Sequence, residues 1–374
     1  MLIYFKGSVA FAALCLGVGA WLGWQITHNI SGTLGILWII LVLGVLEVSL
    51  SFDNAVVNAT VLQDMDPIWR RRFLTWGIII AVFGMRILFP LLIVGVAADL
   101  GPIEALMLAA TDSVTYERII KGAHVAISGF GGAFLAMVGL SFFLDEKKDL
   151  HWIGMVERPF AGLSRISGLA IAIVLLALYG ISRMIGTADA MTFLTAGMFG
   201  LITYVAVHAI GAVLENKEIE QEESNALAAQ NAATAVAKSG LASFLYLEVL
   251  DASFSFDGVI GSFALSNNLF IIALGLGIGA MFVRSMTIML VDRGTLAEYR
   301  YLEHGAFYAI VALAAIMLLS VWIDIPETVT GLIGAALIGV AFLASSRANK
   351  RDGGHEEPLE EASPLSPTGE QLKL

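Results

Sequence analysis

Two things are scarce in this chain, cysteine and charge. The single Cys15 excludes an internal disulfide and any thiolate metal cluster. Only 14% of the residues are charged, where about 25% is usual. No basic patch with interleaved aromatics occurs, so nucleic acid is excluded as a partner. The net charge of −11 does not describe an acidic surface, because much of it lies in two short stretches. These are 215–223 (Glu215, Glu218, Glu220, Glu222, Glu223) and the tail (Glu356, Glu357, Glu360, Glu361). Hydrocarbon takes the place of charge. Hydrophobic residues make up 58% of the chain and mean hydropathy is +0.83. Apolar runs of about 20 residues, enough to cross a ~30 Å hydrocarbon core, recur throughout. The chain reads as an all-α, polytopic membrane protein.

About ten spans are predicted: 7–27, 34–62, 73–97, 124–144, 166–186, 190–213, 239–265, 269–291, 304–323 and 326–345. The first, with Trp21 and Trp24 and no small-x-small cleavage site, reads as a retained span and not a signal peptide. The stretch 103–123 carries Glu104, Asp112, Glu117, Arg118 and Lys121, and reads as an external interfacial helix. With both termini cytoplasmic, every Lys and Arg falls inside except Arg118, Lys121 and Arg183, plus Arg86 and Arg284 within spans. The transmembrane domain is placed at 1–345. The remainder, 346–374, is rich in Glu, Pro and Gly and reads as a disordered cytoplasmic tail.

Two motifs sit inside oily helices about two hundred residues apart. The first runs from Leu46-Glu47-Val48 to Ser51-Phe52-Asp53-Asn54. The second runs from Leu247-Glu248-Val249, through Asp251, to Ser255-Phe256-Asp257-Gly258. An ionised carboxylate at mid-bilayer costs roughly 2.5–3.5 kcal/mol, so five need compensation. The predicted topology makes the motif helices antiparallel. Each is followed by a span holding an arginine (Arg86, Arg284), then by one opening near a histidine (His124, His304). The segments 34–144 and 239–323 therefore read as inverted three-helix repeats, an architecture that places a shared site near the bilayer midplane.

Spacing carries geometry. Glu47, Ser51, Asn54 and Asn58 form one polar helical stripe, and Glu248, Asp251, Ser255 and Ser262 a comparable one. Asp53 lies about 120° from Glu47, and Asp257 about 180° from Glu248, on an ideal helix. Either these acids face other neighbours or the helix unwinds beside them. Asn54 and Gly258 tolerate such a break, and unwound backbone in a bilayer belongs where it lines a polar cavity. The candidate metal ligands are Glu47, Asp53, Asn54, Glu248, Asp251 and Asp257, with Ser51, Ser255, Arg86 and Arg284 secondary. Five carboxylates against two arginines leave a formal −3 when all are ionised, which a divalent cation and one proton would cancel. Oxygen ligands without thiolate suit Mn²⁺, Ca²⁺ or Mg²⁺. The arginines read first as structural counter-ions, and His124, His208 and His304 as packing or interface residues.

At these residues the chain resembles the TerC family of integral membrane proteins, named for tellurium resistance. That family carries Leu-Glu and then Ser-x-Asp-Asn, met here by Glu47 and Ser51 to Asn54. Its second repeat carries Val-Glu-x-x-Asp and Phe-x-x-Asp-Ser, met by Glu248, Asp251, Phe254 and Asp257. Gly258 stands in place of the Ser, and Leu247 precedes the Glu. The resemblance is specific at these two motifs and marks a divergent branch. It implies efflux of a metal ion, notably manganese, by a cell-membrane exporter built from three-helix inverted repeats; protons are the candidate coupling ion. No enzymatic activity or bound cofactor is expected. An intramembrane aspartyl protease is disfavoured, because no Gly-x-Gly-Asp flanks Asp53 or Asp257. The rival reading is a membrane scaffold of a stress-resistance complex, docking through 215–223 and the alanine-rich 226–237.

Overall fold

A computed structural model describes residues 2–145, 150–163, 166, 168–224, 229–323 and 325–352. Their side chains are included except at Leu2, Asp64, Ile78, Ala161, 211–239, Ala242, Phe256, Asp257, Ala297, Glu327 and Thr328. In chain order the helices are α1 (Leu2–Thr27), α2 (Ile30–Leu50), α3 (Phe52–Asp64) and α4 (Pro67–Ile79), continued by a π-helical stretch, Ile80–Leu88. Then come α5 (Phe89–Ala98), α6 (Pro102–Thr111), α7 (Ser113–Gly122), α8 (His124–Phe143), α9 (Gly154–Leu163) and α10 (Leu169–Ser182). The chain continues with α11 (Thr187–Ser224), α12 (Ala229–Ser262), α13 (Leu269–Asp292), α14 (Thr295–Glu298), α15 (Leu302–Ser320) and α16 (Glu327–Asp352).

Local chemistry sets several boundaries. Asp66 accepts from the Ile68 N–H at 2.9 Å with Pro67 opening α4, and Asn268 accepts from the Phe270 N–H at 2.9 Å to open α13. Eight helices among the described residues are long and apolar enough to cross a membrane. Large apolar side chains such as Trp38, Trp76 and Val96 face outward (67%, 63% and 78% exposed), as a lipid-facing surface requires. The protein is an all-α polytopic membrane protein.

Two predicted spans differ in form. The segment 166–186 becomes α10, whose 14 residues reach only about 21 Å. The segment 239–265 is the distal part of the 34-residue α12, which carries Glu248, Asp251 and Asp257. The stretch 103–123 becomes two ten-residue helices, neither long enough to span. Their buried faces, Ala105, Ala109, Tyr116 and Ile120, pack on Phe263 and Leu269 at the α12–α13 turn. Asp112 caps α7, and hydrogen bonds from Thr115 hold its carboxyl below the usual carboxylate range. The helix α16 continues through Asp352, past the boundary expected at 345. The rest of the tail, and the side chains of 215–223 and 226–237, lie outside the described residues.

Corresponding helices of the two expected repeats pair antiparallel at all three positions. Asn58 bonds Asp251 while Gly258 abuts Glu47, so α2–α3 and α12 run oppositely. Gly77 abuts Arg284 while Gly277 abuts Val82, which sets the second helices antiparallel. Ser128 bonds Ser320 while Phe142 stacks on Phe307, which does the same for α8 and α15. In addition, α2–α3 packs against α13 and α15, and α12 against α4, the π-helical stretch and α8. Where α13 crosses α2, a methyl on Gly275 would stand 3.0 Å from the Ile40 carbonyl oxygen and one on Gly279 2.8 Å from that of Gly44, so only glycine lets the two helices lie directly on each other.

Candidate functional site

The first motif breaks at Ser51 (φ −103°, ψ 20°), between α2 and α3. A break was expected beside Asn54. It falls three residues earlier and puts Asp53 in the first turn of α3, where the helix dipole favours an anion. Asp53 Oδ1 accepts from the Asn54 N–H at 2.9 Å. Glu47 is 2% exposed, accepts from the Ser51 hydroxyl at 3.1 Å and forms an ion pair with Arg86. Arg86 sits in the π-helical stretch and also donates to Ala81 O at 2.7 Å. Such wide turns recur at functional sites because they re-aim side chains.

The second motif does not break, since α12 runs unbroken through Asp257 and Gly258. Here Arg284 donates to the Phe73 carbonyl and lies 3.8 Å over the Phe73 ring. Glu248 is buried beside it, with neither carboxylate oxygen hydrogen-bonded among the described residues. Each arginine thus faces one motif glutamate, Arg86 facing Glu47 and Arg284 facing Glu248. Gly77 makes room for the second pair. A methyl there would overlap the Arg284 guanidinium and stand 2.9 Å from Glu248 Oε1. Gly77→Ala is therefore expected to destabilise the protein by about 1–3 kcal/mol, the usual cost of overpacking. Thermal denaturation in detergent checks this, and an unchanged midpoint would contradict the packing.

The polar side chains divide between two small cavities. One, of about 30 Å³, is lined by Glu47, Ser51, Asn54, Asn58, Arg86, Asp251 and Arg284. The other, of about 40 Å³, is lined by Glu47, Ser51, Asp53, Phe254, Gly258 and Gly334 among others. Glu47 and Ser51 are common to both. The expected single cluster is thus split, with Asp53 in one cavity and Asp251 in the other. Glu248 and Ser255, both buried, line neither, and the Asp257 side chain lies outside the described residues. Among the described residues no three His, Cys, Asp or Glu side chains converge on one point that could hold an ion. Gly258 has a geometric reason, because a Cβ there would stand 3.0 Å from Glu47 Oε2.

Asn58, on the sequence stripe but outside the predicted ligand set, donates to Asp251 Oδ1 at 2.7 Å. Phe73 and Gly77 had no sequence signal, because only tertiary packing brings them to Arg284. The three histidines lie apart from both cavities. His124 contacts Ser128 and Ser320 hydroxyls (3.2 and 3.4 Å), His208 stacks on Tyr204, and His304 contacts Leu150 O at 2.9 Å.

Fold and site define a polytopic helical membrane protein with carboxylates and guanidinium groups buried between antiparallel helices. The chain belongs to the DUF475 family, described as proteins of unknown function, which matches residues 52–352. That match includes α3 to α16 and leaves Glu47 just outside. No curated protein and no solved structure matches the chain.

Proposed function

We propose that this protein is a divalent metal-ion transporter of the cell membrane, with manganese as its first substrate and both termini cytoplasmic. The observation that carries the reading is the buried cavity where the antiparallel motif helices cross. It joins Glu47 and Asp251 to the oxygens of Ser51, Asn54 and Asn58, an all-oxygen donor set suited to a hard cation. Charge supports the same reading. The four described acids, Glu47, Asp53, Glu248 and Asp251, against Arg86 and Arg284 leave a formal −2, and Asp257 brings the two motifs to −3, which a divalent cation and one proton would cancel. In this mechanism Glu47 shifts between Arg86 and the ion, and rocking of one repeat against the other exposes the cavity to each side in turn. Protons serve as the coupling ion, and no covalent chemistry is required. The TerC resemblance of the motifs points to manganese among the hard ions and to efflux as the direction.

Uptake by inverted membrane vesicles, screened across Mn²⁺, Ca²⁺ and Mg²⁺ with and without a pH gradient, tests the proposal. Saturable Mn²⁺ accumulation that grows with the gradient is expected. Uptake no greater than in vesicles lacking the protein, for every cation, would overturn it.

A further inference from the structure

We infer that Asn58 is a specificity-determining ligand of the transported cation, giving its amide oxygen to the same ion as Asn54 and Asp251. The assignment rests on the transport reading and extends its ligand set. Asn54 and Asn58 stand four residues apart on one face of α3 and line the same cavity. They are 8% and 3% exposed, and the Oδ1 atom of each has no hydrogen-bond partner among the described residues. The Asn58 amide nitrogen is already committed to Asp251 Oδ1 at 2.7 Å. Its carbonyl oxygen is left without a donor on a residue that lines the cavity. A buried acceptor without a donor is unfavourable, and a dehydrated cation satisfies two of them at once.

The neighbouring charges make such neutral donors decisive. Glu47 is paired with Arg86, so Asp251 is the one carboxylate of the cavity without a salt bridge among the described residues. Two amide oxygens complete a coordination shell without adding charge. They also bias it toward hard ions, because an amide carbonyl has little to offer a thiophilic metal. A purely structural Asn58 would act only through its N–H, by holding Asp251 in place.

Metal substitution separates these roles. Asn58→Cys places a soft sulfur where the amide oxygen stood, in the full-length protein purified in detergent, with Mn²⁺ and Cd²⁺ affinities measured by calorimetry. Cys15 is present in parent and variant alike, so it cancels in the comparison. The Cd²⁺-to-Mn²⁺ affinity ratio is expected to rise about tenfold or more. If both affinities fall together, or neither changes, Asn58 is not a ligand. If the parent binds neither Mn²⁺ nor Cd²⁺, the transport reading itself fails, a result distinct from an unshifted ratio. Asn58→Met, which keeps a similar length and offers a neutral thioether, gives the same readout should the cysteine variant fail to fold.

Discussion

Asp251→Asn should reduce manganese transport by about 100-fold or more, the equivalent of ~2.7 kcal/mol, while leaving the protein folded. Asparagine keeps the shape of the side chain and an acceptor for the Asn58 N–H, so the α3–α12 contact survives. What it removes is the charge facing the cavity between Arg86 and Arg284. With Glu47 and Glu248 each beside an arginine, no charge then remains in the cavity to balance an entering divalent cation. Asp53→Asn acts in the second cavity and is expected to impair transport by a similar route, since Glu47 lines both. Cells carrying either variant, at membrane abundance equal to the parent, should accumulate manganese like cells lacking the protein. If both variants clear manganese at the parent rate, the acids are structural, and the scaffold of a stress-resistance complex becomes the better reading.

Arg86→Ala should produce the largest loss of stability, about 3–5 kcal/mol, because it strands the Glu47 carboxylate without its ion-pair partner. Adding Glu47→Gln to the same protein should recover most of that loss, since the uncompensated charge goes with it. The packing directs the compensation to Glu47. Asp53 lines a cavity that Arg86 does not line. Thermal denaturation of the two single variants and the double variant measures the coupling. Strictly additive losses would mean that the pair contributes nothing as a pair. Arg284→Ala with Glu248→Gln should couple more weakly, because Arg284 is also held by the Phe73 carbonyl and ring.

Much of the site was legible because its components are rare in such a sequence. A carboxylate or guanidinium in an apolar run stands out without any structure, and the i, i+4, i+7 spacing from Glu47 groups it with Ser51 and Asn54, which line the same cavity. The same stripe contained Asn58, but an uncharged amide carried too little signal to be ranked with the acids. Helical angles also put Asp53 off the stripe, and the break at Ser51 does not bring it back. It turns toward Gly334 and Phe254 instead. In the second motif the ideal helix persists, and Glu248 meets Arg284 without a hydrogen bond.

The sequence alone determined the class of protein, the order of its helices, the two motifs and the antiparallel sense of the segments that bear them. These follow from hydropathy, charge placement and the parity of crossings, which are properties of the chain read in one dimension. Tertiary structure decided which acids share a cavity and where each arginine goes. Those outcomes depend on how each helix is rotated about its axis and how closely its neighbours approach. Such rotations and distances are set by close approaches at Gly275, Gly258 and Gly77, by the break at Ser51 and by the wide turn at Arg86. A glycine reads the same in a sequence whether it faces lipid or a carboxylate. Only the packed helices distinguish the two, and they place Asp251 across from Glu47 while sending Asp53 to the other side.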